Sequence, residues 1–356
     1  MATHITVVKF GGTSIENGAA FARVAKVVKR RAKSGLVVIV SAMSGVTNTL
    51  IDSFQNAASR GVENSLALLE EHFSRQVQVA EQLIPARVSQ TRKLIDRIRI
   101  EIAQLLANTL QNSAPDMRMH DAIASYGERL AADLMTMVLQ EHGVAAVYVD
   151  ARRCVITNNE HGNAEPLFDE LRQHARAELL PLVKTKRVPV LGGFFGATTS
   201  GVTTTLGRGS SDYSATLIGS ALHAREVQIW TDVDGIQTAD PRLVKSTRTV
   251  PHVSYEEASH LAKLGARVMH PKMIEPVVLQ RIPIRILNSH APRKRGTLIS
   301  AKPANVSHGF KAIAHKVAGR SAVVGFVGHG LKINFRVEPD SVGAVVRQLH
   351  EMIFEL

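Results

Sequence analysis

Cysteine is almost missing from this chain. Cys154 is the only one in 356 residues, so no internal disulfide can form and a reducing compartment is expected. Arg152 and Arg153 precede it, but an inert thiol is the plainer reading than a reactive one. Aromatic residues make up only 4% of the chain, which leaves little for stacking on bases. The 43 Lys and Arg outnumber the 31 Asp and Glu, for a net charge of +12, yet they are scattered and form no stripe. No nucleic-acid partner is therefore expected, and the charge reads as a field that draws anionic small molecules. No apolar run approaches the ~20 residues of a membrane span. The chain opens on a strand, without the charged and apolar regions of a signal peptide. The expectation is a cytoplasmic protein with no membrane partner.

Several motifs are absent too. No Gly-Lys-Ser/Thr closes a glycine-rich loop, which excludes the P-loop. The His-Arg-Asp and Asp-Phe-Gly sets of protein kinases are missing. Gly207 and Gly209 lack the third glycine of a dinucleotide fingerprint, so a nicotinamide enzyme is not expected. The 15 histidines form no cluster with metal-ligand spacing, and no metal site is expected.

What is present is concentrated in two loops. Val188 to Phe194 reads as a buried strand ending in glycines, and Asp212 to Leu222 as a helix of small and apolar residues. Between them runs Thr204-Thr-Leu-Gly-Arg-Gly-Ser-Ser-Asp212, a polar loop feeding a helix N-terminus, where free N–H groups favour an anion. Arg208 adds a planar fork for a carboxylate or phosphate, and Asp212 brings the opposite charge to the same place. Taken alone, the loop is equally well a Gly/Ser turn with a capping Asp. The second loop is Lys9-Phe-Gly-Gly-Thr-Ser14, which ends an apolar strand. Its glycines would let N–H groups approach phosphate oxygens, and Lys9 would neutralise a transferring phosphoryl group. A strand-end Gly-Gly is also a common plain turn.

Strand and helix patterns alternate through the first half, which is the α/β arrangement. Ala19 to Lys33 is an amphipathic helix, and Leu36 to Val40 a strand buried on both faces. Leu66 to Ile84 and Leu94 to Leu105 give two long helical patterns, and Asp121 opens a further helix through Met135. Glu128 lies in mostly apolar surroundings within that helix, where a lone carboxylate needs a reason; pairing with Arg129 is the bland one. Glu226 to Asp232 is a strand with a loop at its carboxyl end, and Ser254-x-x-Glu257 is a capping box.

The two loops together closely resemble those of the aspartate kinases, of the amino-acid-kinase family. Three more blocks follow in family order: Ser41 to Asn48, Ser125-Tyr-Gly-Glu128, and Trp230-Thr-Asp-Val-x-Gly-Ile236 with Asp240-Pro-Arg242. The resemblance implies a three-layer α/β/α sandwich with a mainly parallel sheet over residues 1–300, about 1–195 forming a substrate half and 196–300 a nucleotide half. It implies transfer of the γ-phosphoryl of ATP, with Mg2+, to the side-chain carboxylate of L-aspartate, and no tightly bound organic cofactor. By the same resemblance Lys9 and Asp212 are catalytic, and Ser41, Thr47, Glu128, Arg208 and Ser211 hold the amino acid. Gly11, Gly12, Thr13, Thr231, Asp232, Arg242 and Arg267 would face the nucleotide. That division suits a zwitterion, which needs one fixed cation and one fixed anion. An ionised carboxylate nucleophile needs no strong general base. Gln237 and Arg267 depart from the residues usual at their positions. Residues 301–356 resemble a shortened α+β regulatory piece of the ACT type, whose apolar faces pack on each other, on the kinase part or across a homodimer. Glutamate and acetylglutamate kinases, and a non-catalytic ligand-binding subunit, are the alternatives. Glu128 counts against an acylated substrate, to which it would offer no ammonium partner.

Overall fold

Strands buried on both faces need a helical layer on each side, and β1 (Thr6–Phe10) and β2 (Leu36–Val40) display both layers by their alternation. Val8, Phe10, Leu36, Val38 and Val40 join one apolar core. Val7, Val37 and Ile39 join another. The structure is a computed structural model that describes residues 4–32, 35–110, 116–266, 271–301, 309–319, 321–328 and 331–355.

The first core is roofed by α1 (Gly18–Arg31), α2 (Val46–Gln55), α3 (Ala57–Ala67), α4 (Glu70–Leu83), α5 (Val88–Leu110) and α6 (Met117–Glu141). The helical pattern from Leu66 to Ile84 is broken between α3 and α4, and only α4 continues it. α6 starts one turn before Asp121, because Asp116 caps it by accepting from the Arg118 amide. Asp121 therefore lies inside the helix, not at its start.

The remaining strands of this part are β3 (Ala146–Tyr148), β4 (Ile156–Thr157), β5 (Val188–Gly192), β6 (Phe195–Thr198), β7 (Thr203–Thr205), β8 (Glu226–Thr231), β9 (His252–Ser254), β10 (Ile284–Asn288) and β11 (Thr297–Ser300). The second core is covered by α7 (Phe168–Lys184), α8 (Ser211–Ala221), α9 (Tyr255–Lys263) and α10 (Glu275–Val278). α9 carries the expected capping box between Ser254 and Glu257. The main sheet runs β3-β5-β2-β1-β8-β10-β11-β9, parallel throughout except between β10 and β11. The chain leaves β1 toward β2 while β8 lies on β1's other side. The carboxyl ends of these strands thus border a crevice of the kind that holds ligands in open α/β sheets.

Past the main sheet, β12 (Ala312–Ala318), β13 (Ser321–Gly328) and β14 (Leu331–Val337) make a separate antiparallel sheet, followed by α11 (Val342–Phe354). The small α+β piece expected here is thus present among the described residues, as three strands and one helix. One face of this sheet shares a core with α11, and that core includes Ala239 and Val244 from the loop after β8. The other face contributes Ala312, Ala314 and Val327 to the second core, beside Leu261 of α9. Among the described residues no helix is long and apolar enough to cross a membrane.

Candidate functional site

Lys9 follows Val7 by two residues, so the pleat turns it toward the layer that holds α8. There its Nζ lies 2.6 Å from Asp212 Oδ1, with both side chains largely buried. The contact is an ion pair without hydrogen-bond geometry. β1 continues into a turn held by the Gly11 amide, which donates to Trp230 O at 3.0 Å. The next residue has to be glycine: a Cβ on Gly12 would stand 2.8 Å from Ala42 O. Close backbone approach of this kind brings the turn after β1 against the loop after β2.

On the far side, Gly193 directly follows β5, and a Cβ there would meet Ser211 Cβ at 2.7 Å. The contact seats the first turn of α8 on the sheet. Phe194 follows with φ of 73°, uncommon for a bulky residue, and its amide donates to Ser214 Oγ at 2.8 Å. Backbone held in that region costs on the order of 1–3 kcal/mol and tends to mark functional sites.

These elements enclose a cavity of about 250 Å3 lined by Gly12, Ser41, Thr47, Glu128, Phe194, Arg208 and Ser211, among others. Ser41 and Ser211 hydroxyls lie 2.8 Å apart, tying the loop after β2 to the start of α8. Arg208 is exposed and donates through Nη2 to Asn48 Oδ1 at 2.5 Å. Glu128 enters from the opposite layer, on α6, and is 4% exposed. Thr47 Oγ1 donates to its Oε1 at 3.5 Å, while its Oε2 is buried without a hydrogen-bond partner. Burial pushes the Glu128 carboxyl up to about 8, against the pull of the Ala42 amide, the Thr47 hydroxyl and the Lys9 charge. A cation arriving beside Oε2 would satisfy both the charge and the empty acceptor. The cavity thus has a cationic wall, a buried carboxyl that a cation would ionise, and a lysine-aspartate pair nearby.

A second cavity, of about 450 Å3, opens beside the loop after β8. Thr231, Asp232, Gln237 and Arg242 line one side, and Leu261 and Ala266 at the end of α9 another. The remaining wall is Ile313, Ala314 and His315 of β12. Thr231 Oγ1 donates to Asp232 Oδ1 at 3.0 Å, and Arg242 is paired with Asp240. The hydrogen bond from Arg242 holds the Asp240 carboxyl below its usual range. Gln237 turns its amide back to Thr249 Oγ1 at 3.1 Å, inside its own loop.

The residues expected from the sequence therefore separate. Ser41, Thr47, Glu128, Arg208 and Ser211 all line the smaller cavity, and Thr231, Asp232 and Arg242 line the larger. Gly12, expected on the nucleotide side, lines the smaller cavity, whereas Gly11 and Thr13 line neither and form the turn between. Lys9 and Asp212 line neither cavity; Lys9 is on β1, which lies between β2 and β8 in the sheet. Arg267 lies outside the described residues. The part of Asn48 as the partner of Arg208 was not singled out from the sequence, nor was the strain at Phe194. The β12 wall carries no sequence signal of a site, since Ile313 to His315 read only as strand.

A model of the amino acid kinase family matches residues 4–288. Lysine-sensitive aspartokinase 3 of Escherichia coli (strain K12) is 37% identical over 305 residues, covering 85% of this chain and 66% of that protein. Chloroplastic aspartokinase 1 of Arabidopsis thaliana is 32% identical over 296 residues, 83% of this chain and 52% of that one. The chain thus spans from about half to just under two thirds of these curated relatives. Among solved structures, E. coli aspartokinase III in complex with aspartate and ADP, in its R-state, superposes with a TM-score of 0.89 at 27% identity. That superposition covers 98% of this chain and 100% of the other, and so reaches past the family-matched residues into the C-terminal sheet.

Proposed function

The chain belongs to the amino acid kinase family, and from that premise we propose that it is an aspartate kinase, making 4-phospho-L-aspartate and ADP from L-aspartate and MgATP. The observation that carries this reading is the smaller cavity, where Arg208 and the unpartnered Oε2 of Glu128 offer one cation site and one anion site to the same small molecule. An α-amino acid presents the complementary pair. Arg208 takes the α-carboxylate and Glu128 the α-ammonium, with Ser41, Thr47 and Ser211 adding hydrogen bonds. The larger cavity, with Thr231, Asp232 and Arg242 on its rim, takes the nucleotide, and Arg267 belongs with them by sequence. A solved relative that superposes closely on this chain was crystallised with aspartate and ADP, which supports the pairing of ligands.

In the reaction a side-chain carboxylate oxygen of aspartate attacks the γ-phosphorus. The bond from phosphorus to the bridging oxygen of ADP breaks, and the electron pair leaves with ADP. The nucleophile is already ionised at neutral pH, so no proton has to be removed. The work left to the protein is positioning and charge stabilisation. Lys9, on the strand between β2 and β8, neutralises charge on the moving phosphoryl group, and its ion pair with Asp212 holds it in line. Mg2+ bound with the nucleotide would take most of its ligands from the phosphates and water and would offset their charge. On this reading the enzyme would work in the cytoplasm, at the first step toward aspartate-derived amino acids such as lysine and threonine. A coupled ADP-release assay over aspartate, glutamate and N-acetylglutamate tests the reading. Turnover with aspartate well above the other two is expected. Preference for N-acetylglutamate would overturn the ammonium role of Glu128, and no turnover with any of them would favour a ligand-binding subunit.

A further inference from the structure

The most completely buried carboxylate near the site belongs to neither cavity. Asp121, on α6, is fully buried. Its Oδ1 accepts from Thr205 Oγ1 at 2.6 Å and faces His120 Nδ1 at 3.2 Å. Its Oδ2 accepts from the Gly162 amide at 2.9 Å and the Thr205 amide at 3.1 Å, and faces His161 Nδ1 at 3.1 Å. Among the described residues only His120 and His161, and no Lys or Arg, lie within ion-pair distance of it. Burial alone would raise its pKa, but these hydrogen bonds outweigh burial and hold the carboxyl below its ordinary range. It is an ionised acceptor whose several partners come from three separate segments.

What those segments carry gives the network its meaning. Thr205 ends β7, and Arg208 follows three residues later across Gly207, whose φ is 91°. Glu128 lies seven residues after Asp121 on α6, two turns along the same helix face. The Gly162 segment packs under the Arg208 loop, since a Cβ on Gly207 would stand 2.8 Å from Asn163 Oδ1. The Thr205 carbonyl accepts from the Ala164 amide at 2.8 Å, which closes the arrangement. One carboxylate therefore ties the strand that launches Arg208 to the helix that carries Glu128.

We propose that Asp121 is a positioning residue that sets the spacing between Arg208 and Glu128, and so the fit of the amino-acid substrate. The proposal rests on the reading that these two side chains grip that substrate. Exposed Arg208 sits on a glycine-flanked loop and would otherwise sample many positions. The Thr205 anchor confines where that loop begins. Bonds from hydroxyl and amide groups to a buried carboxylate are charge-assisted and hold tighter geometry than neutral ones.

The experiment uses the whole chain and whichever amino acid the wild type phosphorylates. Asp121→Asn puts an NH2 group against at least one of the donors from Gly162 and Thr205. It is expected to raise the amino-acid KM about tenfold or more, while the ATP KM stays within about twofold. Thr205→Val, which removes only the hydroxyl, should raise the same KM severalfold, and Thr205→Ser should restore it. That pair decides the matter if Asp121→Asn fails to fold. Loss of melting temperature in both variants with an unchanged ratio of the two KM values would overturn the proposal and leave Asp121 a fold-stabilising residue. Should the wild type phosphorylate no amino acid, the proposed function fails on its own. Hydrogen exchange then decides the positioning role: Thr205→Val must speed exchange across 205–209, and unchanged exchange there overturns it.

Discussion

The two cavities are built on opposite logic. The smaller one is assembled wholly from the main α/β/α part, from loops at the carboxyl ends of β1, β2, β5 and β7 and from α2, α6 and α8, and it is defined by charge. The larger one is walled mostly by apolar residues, and part of that wall belongs to the C-terminal sheet. The Ile313 amide donates to Thr238 O at 2.8 Å, and Ala239 and Val244 of the same loop are buried in the C-terminal core. A zwitterion has to be held by opposite charges, which a rigid layer can present alone. A nucleotide base is held by shape, and shape can be borrowed from a neighbouring unit. On the proposed assignment of nucleotide to the larger cavity, changes in the C-terminal unit would be felt first at the nucleotide and only indirectly at the amino acid.

Removing Lys9, the proposed phosphoryl-stabilising group, should have the largest effect. Lys9→Met should lower kcat by two to three orders of magnitude, the range seen when a preorganised charge-stabilising donor is lost. The KM values for aspartate and ATP should change by no more than a few-fold, because the interaction is made mainly in the transition state. Steady-state kinetics decide it. Turnover within a factor of a few of wild type would return Lys9 to a structural partner of Asp212.

The charge-defined cavity should also be the pH-sensitive one. The Glu128 carboxyl titrates near 8 in the free protein because it is buried. Only its ionised form can pair with an ammonium, so below pH 8 binding must displace a proton. The kcat/KM for aspartate, which reports the free enzyme, should fall as pH drops through about 8, by up to tenfold per unit. Glu128→Gln should be weaker throughout and lack that inflection. The stability sign follows from the same shift. An exposed carboxyl of this type titrates near 4.5, so between about 4.5 and 8 the folded chain holds a proton that the unfolded chain releases. Stability without substrate therefore declines as pH rises through that window, and saturating aspartate should offset the decline. A profile for kcat/KM that is flat between pH 6.5 and 9 would remove Glu128 from the ammonium site.

How much of this was legible in the sequence follows from the same division. Lys9, Glu128, Arg208 and Asp212 announce themselves because charged residues in glycine-flanked loops or apolar helices need explaining. The layered fold was legible because Leu36 to Val40 has no polar face to expose. Asp121 was read as a helix start, since an acidic residue ahead of an apolar run fits a cap equally well. Only three-dimensional proximity to Thr205 and Gly162 reveals its anchoring role. The β12 wall was not legible at all. Ile313, Ala314 and His315 look like any half-buried strand, and their distance in sequence from Thr231 hides that they share a cavity.

The smallest expected effect tests the borrowed wall. His350 on α11 is buried, and its Nε2 lies 2.8 Å from Thr238 Oγ1. Its Nδ1 faces the Glu355 carboxylate at 2.9 Å, which favours a proton on Nδ1 and leaves Nε2 to accept from the Thr238 hydroxyl. Thr238 follows Gln237 and precedes Ala239, both in the lining of the larger cavity. His350→Ala removes one neutral hydrogen bond from this loop, a net loss of about 0.5–1.5 kcal/mol. The loop stays held by the Ile313 bond and by Ala239 and Val244, so it shifts without unfolding. The KM for ATP should therefore rise about two- to tenfold, with the aspartate KM unchanged, and nucleotide affinity measured by calorimetry should fall in step. A change confined to the aspartate KM would show that α11 acts on the charge-defined cavity, and the division between the two would not hold.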